Sequence, residues 1–367
     1  STWRRSTPRP DLDVIVSTTL TGSNADIIGE ALASVVAHVD RCIVIDTGAK
    51  DDTLEVARRV AGDKLVVREF PWKNDFAAAR NFALQAAAEA GATWAVTVDT
   101  DERLVFGSGF DLRKELARHA RSTVLLVSDE AGTYAKERIV RLPASVRWNG
   151  PTHEVLEGQR IGASETLTGV RFRELPKDPQ ALQRKFQRDV AILKKYVKQH
   201  ARDPRWFYYL GASHHDLGEY AAAIDAYRTC AELGGWPEQG AWACYRAAEC
   251  CGKLGRWGEA IHLCAAGLAV RPSTAELAWL AAFASYKVGR HEDALAWSHM
   301  SIANGLFEGK GASFARIGFR NPVALYEGPY DVQRWAWKAL GHAAAAAAAE
   351  RKYEEARRAR EAANGPA

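Results

Sequence analysis

The chain has 367 residues, 47% of them hydrophobic and 26% charged, with a formal net charge of +4 at pH 7. This is enough for two or three domains with buried cores, and the composition is that of an ordinary globular protein, not a disordered or collagen-like one. The small basic excess does not call for nucleic acid; no segment is long and apolar enough to span a bilayer, and "STWRRSTPRP" lacks the apolar core of a secretory signal, so the expected compartment is the cytoplasm.

From Asp13 to about Val127, short apolar runs alternate with helical patterns. "DVIVST" (13–18) predicts a strand, and "DIIGEALASVVAHV" (26–39) carries Ile28, Leu32, Val35, Val36 and Val39 at the spacing of one helix face. "RCIVID" (41–46) predicts the second strand, and "DDTLEVARRVA" (51–61) a helix opened by capping residues. "KLVVREF" (64–70) predicts a third strand, "DFAAARNFALQAAAEAG" (75–91) a helix that stops at glycine, and "TWAVTVD" (93–99) a fourth strand. Such alternation predicts an α/β fold with a largely parallel sheet covered on both faces, which binds ligands beyond the carboxyl ends of its strands. "TTLTGSN", "DTGAKDD", "EFPWKND" and "DTDER" fall at those ends.

After about Leu175 only helical patterns occur. "LGEYAAAIDAY" (217–227), "LGRWGEAIHLC" (254–264) and "VGRHEDALAWS" (288–298) align on Gly218, Gly255 and Gly289, 37 and then 34 residues apart. Each glycine is followed by Tyr220, Trp257 or His291, then by Ala223, Ala260 or Ala294 and an aliphatic residue. Period and pattern resemble tetratricopeptide repeats, helix pairs that bury themselves by stacking. "YEEARRA" (353–359) is expected as a degenerate fourth, with arginine in place of its glycine, and the poly-alanine run Ala343 to Ala349 is expected to be helical. The glycine- and aromatic-rich stretch 304–331 reads as a binding loop or, by preference, as a strut packed on the first domain. Cys42, Cys230, Cys244, Cys250, Cys251 and Cys264 contain no C-x-x-C pair, which points to small buried thiols. His214 and His215 read as structural, and the basic run 182–205 as a solvated helix face or, as a minor reading, a guide for an acidic acceptor.

"TVDTDERL" (97–104) sets Asp99 and Asp101 one residue apart at a strand end. Two carboxylates there suit a hard divalent cation that neutralises a phosphate leaving group; a polar turn closing the strand is the plain alternative. Other segments decide between them. "IDTGAKDDT" (45–53), "WKNDFAAARN" (72–81), "VTVDTDE" (96–102) and "RIVRLPASVRWNGPTHEVL" (138–156) resemble, in order, the motifs of family-2 glycosyltransferases. They are most similar to a subgroup with helical-repeat tails that includes lipopolysaccharide-core β-glucosyltransferases and glycocin peptide S-glycosyltransferases. The resemblance runs from about Val14 to Glu157.

It implies a GT-A (Rossmann-like) nucleotide-sugar-binding domain over 1–175, a helical connector over 176–200 and an all-α tetratricopeptide-repeat domain over 201–367. The implied reaction is metal-dependent, inverting transfer from a UDP-sugar, with Mg²⁺ or Mn²⁺ as cofactor, to a peptide, glycan or natural-product acceptor. Thr18, at the end of the first strand, would lie near the base, and Asp46 and Asp75 would meet uracil or ribose. Arg80 would face the nucleotide pocket. Asp99 would hold the ribose side, and Asp101 the metal, with Asp99 and His153 as further ligands; His153 is alternatively a contact to the departing diphosphate. Glu154 would be the general base. The repeats would recognise the acceptor or form a homodimer. The chain departs from the family where many relatives carry lysine, asparagine and glutamate after the first strand and this one has "TTLTGSNAD". Plainer roles also stand: Asp46 as a turn residue, Asp75 as a helix cap, His153 and Glu154 as a surface pair, Trp72 and Trp148 as packing residues. A nucleotidylyltransferase is disfavoured because "TTLTGSN" has no basic residue; a non-catalytic repeat scaffold with a relic α/β domain is the remaining alternative.

Overall fold

The computed structural model describes residues 13–132, 134–161, 165–309 and 320–363. The chain divides into two compact units, Ser1–Asp178 and Pro179–Ala367.

The first unit is α/β. Its elements are β1 (Ile15–Thr21), α1 (Ile28–Ala33), β2 (Arg41–Asp46), α2 (Thr53–Ala61), β3 (Leu65–Glu69), α3 (Phe76–Glu89), β4 (Trp94–Thr97), β5 (Glu102–Phe106), α4 (Leu112–Arg118), β6 (Val124–Asp129), β7 (Ala135–Arg141), β8 (Val146–Asn149), β9 (Val155–Gly158) and β10 (Glu165–Glu174). Eight strands form one sheet in the order β3-β2-β1-β4-β7-β6-β10-β5, and β8 and β9 form a separate antiparallel pair. The expected parallel sheet holds for β1 to β4. Beyond β4 it becomes mixed, because β7 runs antiparallel to both β4 and β6, and β5 antiparallel to β10. The β4–β7 and β5–β10 pairings join segments far apart in sequence, which periodicity cannot register.

Alternation along the parallel strands builds a core on each face. Ile15, Cys42, Val44, Trp94 and Val96 pack with α1 and α2, whereas Val16, Ile43, Ile45 and Ala95 pack with α3. Ala77, Ala83, Ala86 and Ala87 give α3 a small-residue face, and all are buried against the sheet. The helix expected over 26–39 breaks after Ala33 and resumes as a 3-10 turn, Val36–His38. At the break the Ser34 hydroxyl donates to the Ala31 carbonyl (2.7 Å) and accepts from the Leu104 amide (3.1 Å). That local bond and the β-branched pair Val35–Val36 both disfavour continued helix.

The second unit is all helix: α5 (Pro179–Gln199), α6 (Pro204–Asp216), α7 (Tyr220–Leu233), α8 (Pro237–Lys253), α9 (Trp257–Val270), α10 (Ala275–Lys287), α11 (His291–Gly309), α12 (Pro322–Leu325), α13 (Gly328–Ala339) and α14 (Ala343–Ala363). Most of the stretch expected to act as a connector is α5, whose Val190, Leu193 and Val197 cluster with Trp206 and Leu210 of α6. The turns repeat one geometry. Gly218, Gly255, Gly289 and Gly341 have φ of 75°, 71°, 79° and 80°. In each case the next residue donates its N–H five residues back: Glu219 to His214, Arg256 to Cys251, Arg290 to Ser285 and His342 to Trp337, all at 2.8–2.9 Å. This left-handed cap suits glycine. The fourth repeat therefore turns at Gly341, and "YEEARRA" lies inside α14. The poly-alanine start of α14 puts Ala343 where the other repeats carry Tyr220, Trp257 or His291, which hides this turn in the sequence.

All six cysteines are buried thiols without a disulfide. Burial pushes Cys244 up to about 11 and Cys250 up to about 12, which makes them packing groups and not nucleophiles. His214 is buried with Glu219 at 2.5 Å, a contact across its own turn. Much of the expected insertion, 310–319, lies outside the described residues. Its far end packs within the helical unit, where the Asn321 side chain donates to the Tyr245 hydroxyl (2.8 Å).

Candidate active site

β1, β2, β3 and β4 end side by side, and the four segments named above lie at that edge. The first two are tied together. Thr47 donates through its amide (2.8 Å) and its hydroxyl (2.9 Å) to the Thr21 carbonyl, the Asn24 amide donates to the Thr53 hydroxyl (2.7 Å), and the Lys50 amide donates to the Ser23 hydroxyl (2.9 Å). "TGSN", which departs from the family pattern, thus has a defined job as a brace for the "DTGAKDD" turn. Asp46 folds that turn, its Oδ1 accepting from the amides of Gly48 (2.8 Å) and Ala49 (2.7 Å). Asp75 is the N-cap of α3 and accepts from the Ala78 amide at 2.8 Å. Just before it, Asn74 takes φ of 57°, in the left-handed region that asparagine tolerates.

Thr18 is placed differently from the expectation. β1 continues to Thr21, so Thr18 is a mid-strand residue, paired with Ile43 and Thr97 and 3% exposed. The β-branched run through Thr18 and Thr19 prolongs the strand past the point where polarity suggested an end.

After β4 the chain makes a tight turn in which the Glu102 amide donates to the Asp99 carbonyl (3.0 Å). Buried Arg103 staples this turn by donating to the carbonyls of Thr100 (2.8 Å), Glu102 (2.8 Å) and Ile27 (3.0 Å). Asp99 leaves the turn gripped on both oxygens: Arg80 Nη2 lies 3.0 Å from Oδ1 and Arg138 Nη2 lies 2.9 Å from Oδ2. Burial would raise the Asp99 carboxyl, but the two guanidiniums outweigh it and hold it well below the usual carboxylate range. Arg80 also binds Glu154, Nε to Oε1 at 2.5 Å, and its guanidinium lies 5.4 Å from the centre of the buried Trp148 ring. Its Nη1 is buried without a hydrogen-bond partner.

Glu154 is carried by the β8–β9 hairpin, in a loop with Gly150 at φ of 102° and His153 at φ of 50°. Two contacts fix that loop. The Phe76 amide donates to the Pro151 carbonyl (2.9 Å), and the Asn81 side chain both donates to the Trp148 carbonyl (2.9 Å) and accepts from the Trp148 amide (2.8 Å). Arg80 and Asn81, adjacent on α3, therefore hold the same hairpin by side chain and by backbone. Asn81→Ala is expected to cost about 1–3 kcal/mol by stranding both Trp148 groups, seen as a lower unfolding midpoint and faster exchange of the Trp148 amide; unchanged exchange would show that the latch is dispensable.

Residues 13–107 match the family model described as "Glycosyl transferase family 2". The first unit carries a family-2 glycosyltransferase domain. The chain is also similar to a TPR repeat-containing protein of Synechococcus elongatus, 33% identical over 157 residues that make up 41% of this chain. The chain spans 38% of the length of that curated relative. Among solved structures, a crystal structure of MamA matches with a TM-score of 0.38 at 16% identity, covering 50% of this chain and 97% of that one. MamA from Desulfovibrio magneticus RS-1 matches at 0.36 and 17%, covering 49% and 95%.

Within the glycosyltransferase domain, Arg80 contacts both Asp99 and Glu154, although the three come from separate motifs. Asp101 stands apart from them in its pairing: its Oδ2 meets Lys177 Nζ at 2.6 Å, and it is about one-third exposed. Among the described residues no group of three or more His, Cys, Asp or Glu side chains could hold a metal ion. Of the two carboxylates Asp101, with one oxygen paired to Lys177, is the more open to a hard divalent cation, since each oxygen of Asp99 already faces an arginine. Sequence reasoning did not single out Arg138, Glu102 or Asn81. All three lie in the quoted motifs, and the buried partners that give them meaning are visible only in three dimensions.

Proposed function

We propose that this glycosyltransferase moves a hexose from a UDP-sugar to a nucleophile on a peptide, glycan or natural product, with inversion at the anomeric carbon. The reading is carried by the Glu154–Arg80–Asp99 chain of contacts at the carboxyl edge of the family-2 sheet. Asp99, ionised and with lone pairs left beyond those given to the arginines, accepts hydrogen bonds from ribose; Asp46 and Asp75 contribute carboxylate oxygens on the nucleotide side. Glu154 gives Oε1 to Arg80 and uses Oε2 to take the acceptor's proton as the nucleophile attacks the anomeric carbon. The bond from that carbon to the diphosphate oxygen breaks, and UDP leaves with the electron pair. The unpartnered Nη1 of Arg80 is a donor for a diphosphate or sugar oxygen. Mg²⁺ or Mn²⁺, held by Asp101, would supply further neutralisation of the diphosphate. The helical repeats present the acceptor or a second copy of the chain, as stacked-repeat surfaces commonly do.

Thermal unfolding with UDP, GDP or dTDP, each with and without Mn²⁺, tests the reading. UDP with Mn²⁺ should stabilise the chain most, by about 2.7 kcal/mol at a hundredfold excess over its dissociation constant, and Asp101→Asn should abolish the manganese-dependent part. No shift with any nucleotide would replace the enzyme with a repeat scaffold. Hydrolysis of a panel of labelled nucleotide-sugars then identifies the sugar.

A further inference from the structure

Behind Asp99 lies a second buried ion pair. Arg138 of β7 is 4% exposed and Glu102, the first residue of β5, is 1% exposed. Arg138 Nη2 bonds both Glu102 Oε1 and Asp99 Oδ2, and Lys136 Nζ reaches the same Glu102 oxygen at 2.7 Å. Lys136 and Arg138 lie 4.7 and 5.8 Å from the centre of the buried Phe172 ring, which backs both cations. Glu102 Oε2 and Arg138 Nε are buried without partners, so the pair is not fully satisfied even here. A buried pair of this kind gains little stability over apolar residues of the same size, and its desolvation cost is an argument for some other use.

Its geometric effect is on Asp99. With one guanidinium on each oxygen the carboxylate plane is fixed, one lone pair on each oxygen remains, and the side chain stays 24% exposed. Two adjacent cations make that surface an acceptor for neutral hydroxyls and a poor seat for a metal ion. Resting on the glycosyltransferase reading, we propose that Arg138, anchored by Glu102, is a positioning residue that sets the Asp99 carboxylate to read the hydroxyls of a ribose. Neither residue touches substrate; both act through Asp99.

The test is titration calorimetry of the full chain with UDP and with 2′-deoxy-UDP, at fixed Mn²⁺. The unaltered chain should bind UDP about tenfold more tightly than the deoxy form, the discrimination carried by a hydrogen bond to a charged group. The double variant Arg138→Met with Glu102→Met removes both charges together and so avoids stranding either. It should fold, bind UDP about tenfold more weakly and lose its preference for ribose. In an Asp99→Asn background the same double change should have no further effect, because the carboxylate it positions is gone. If the double variant does not fold, Arg138→Lys carries the test, since lysine keeps the charge but loses the planar fork; it should show a reduced preference. A folded variant with the original UDP affinity and preference, or an unaltered chain that binds the two nucleotides alike, overturns the positioning role and leaves the glycosyltransferase reading standing. An unaltered chain with no affinity for either nucleotide overturns both.

Discussion

Glu154→Gln is expected to leave UDP binding unchanged and to reduce sugar transfer about 10²- to 10⁴-fold, the range for loss of a general base. Glutamine preserves the shape of the side chain and an oxygen for the Arg80 Nε–H, so the hairpin that carries it should stay in place. What disappears is the carboxylate that accepts the acceptor's proton. The pairing with Arg80 sharpens the expectation. Arg80 holds Glu154 through one oxygen, Nε to Oε1 at 2.5 Å, which leaves Oε2 to meet the acceptor. Initial-rate assays with saturating donor, together with UDP titration, separate the two roles. Full turnover by the variant would remove Glu154 as the base, and loss of UDP affinity would instead place it on the donor.

Arg80→Met should have the largest effect on stability as well as on activity. Arg80 is the one cation joining Asp99 to Glu154 among the described contacts, and removing one partner from a buried ion network costs about 3–5 kcal/mol. Glu154 would then lie beside Asp99 without its counter-charge, and UDP affinity and turnover should fall together. Denaturant unfolding of the variant against the unaltered chain measures the cost. A second change should repair part of it: Arg80→Met combined with Glu154→Gln should be more stable than Arg80→Met alone, since the stranded charge is removed. The pH dependence follows from the depressed Asp99 carboxyl. A carboxyl lowered on folding stabilises fully above its unfolded value, about 3.9, and loses that contribution as pH falls toward its folded value. The stability gap between the two proteins should therefore be widest at neutral pH and narrow in acid below about pH 4. Equal stability at pH 7 would show that the network does not depend on Arg80.

The two predictions meet at α3, whose sequence "DFAAARN" serves three purposes in one turn and a half. Asp75 caps it, its alanines let it lie close on the sheet, and Arg80 and Asn81 hold the hairpin that carries Glu154. A strand-end carboxylate and a candidate base 55 positions away (154 − 99) are thus connected through one helix turn.

Much of this was legible in the residues alone. Alternating apolar runs marked β1 to β4 and the helices between them, because burial of strand faces and helix faces leaves a local period of two or 3.6. Repeated glycines marked the helical turns because a left-handed backbone position has few other occupants. Ordered motifs pointed to Asp99, Arg80 and Glu154. The sequence could not show that Arg80 joins the other two, that Asp99 is held by a second arginine, or that Thr18 is buried in mid-strand. It also could not show the antiparallel β7, which brings Arg138 to the end of β4, or the Asn81 latch on Trp148. Each of these depends on pairing between segments distant along the chain, where neither partner carries a local signature of the other. Local periodicity is imposed residue by residue and survives in the sequence; the partnering of buried charges is decided only when the strands are laid side by side.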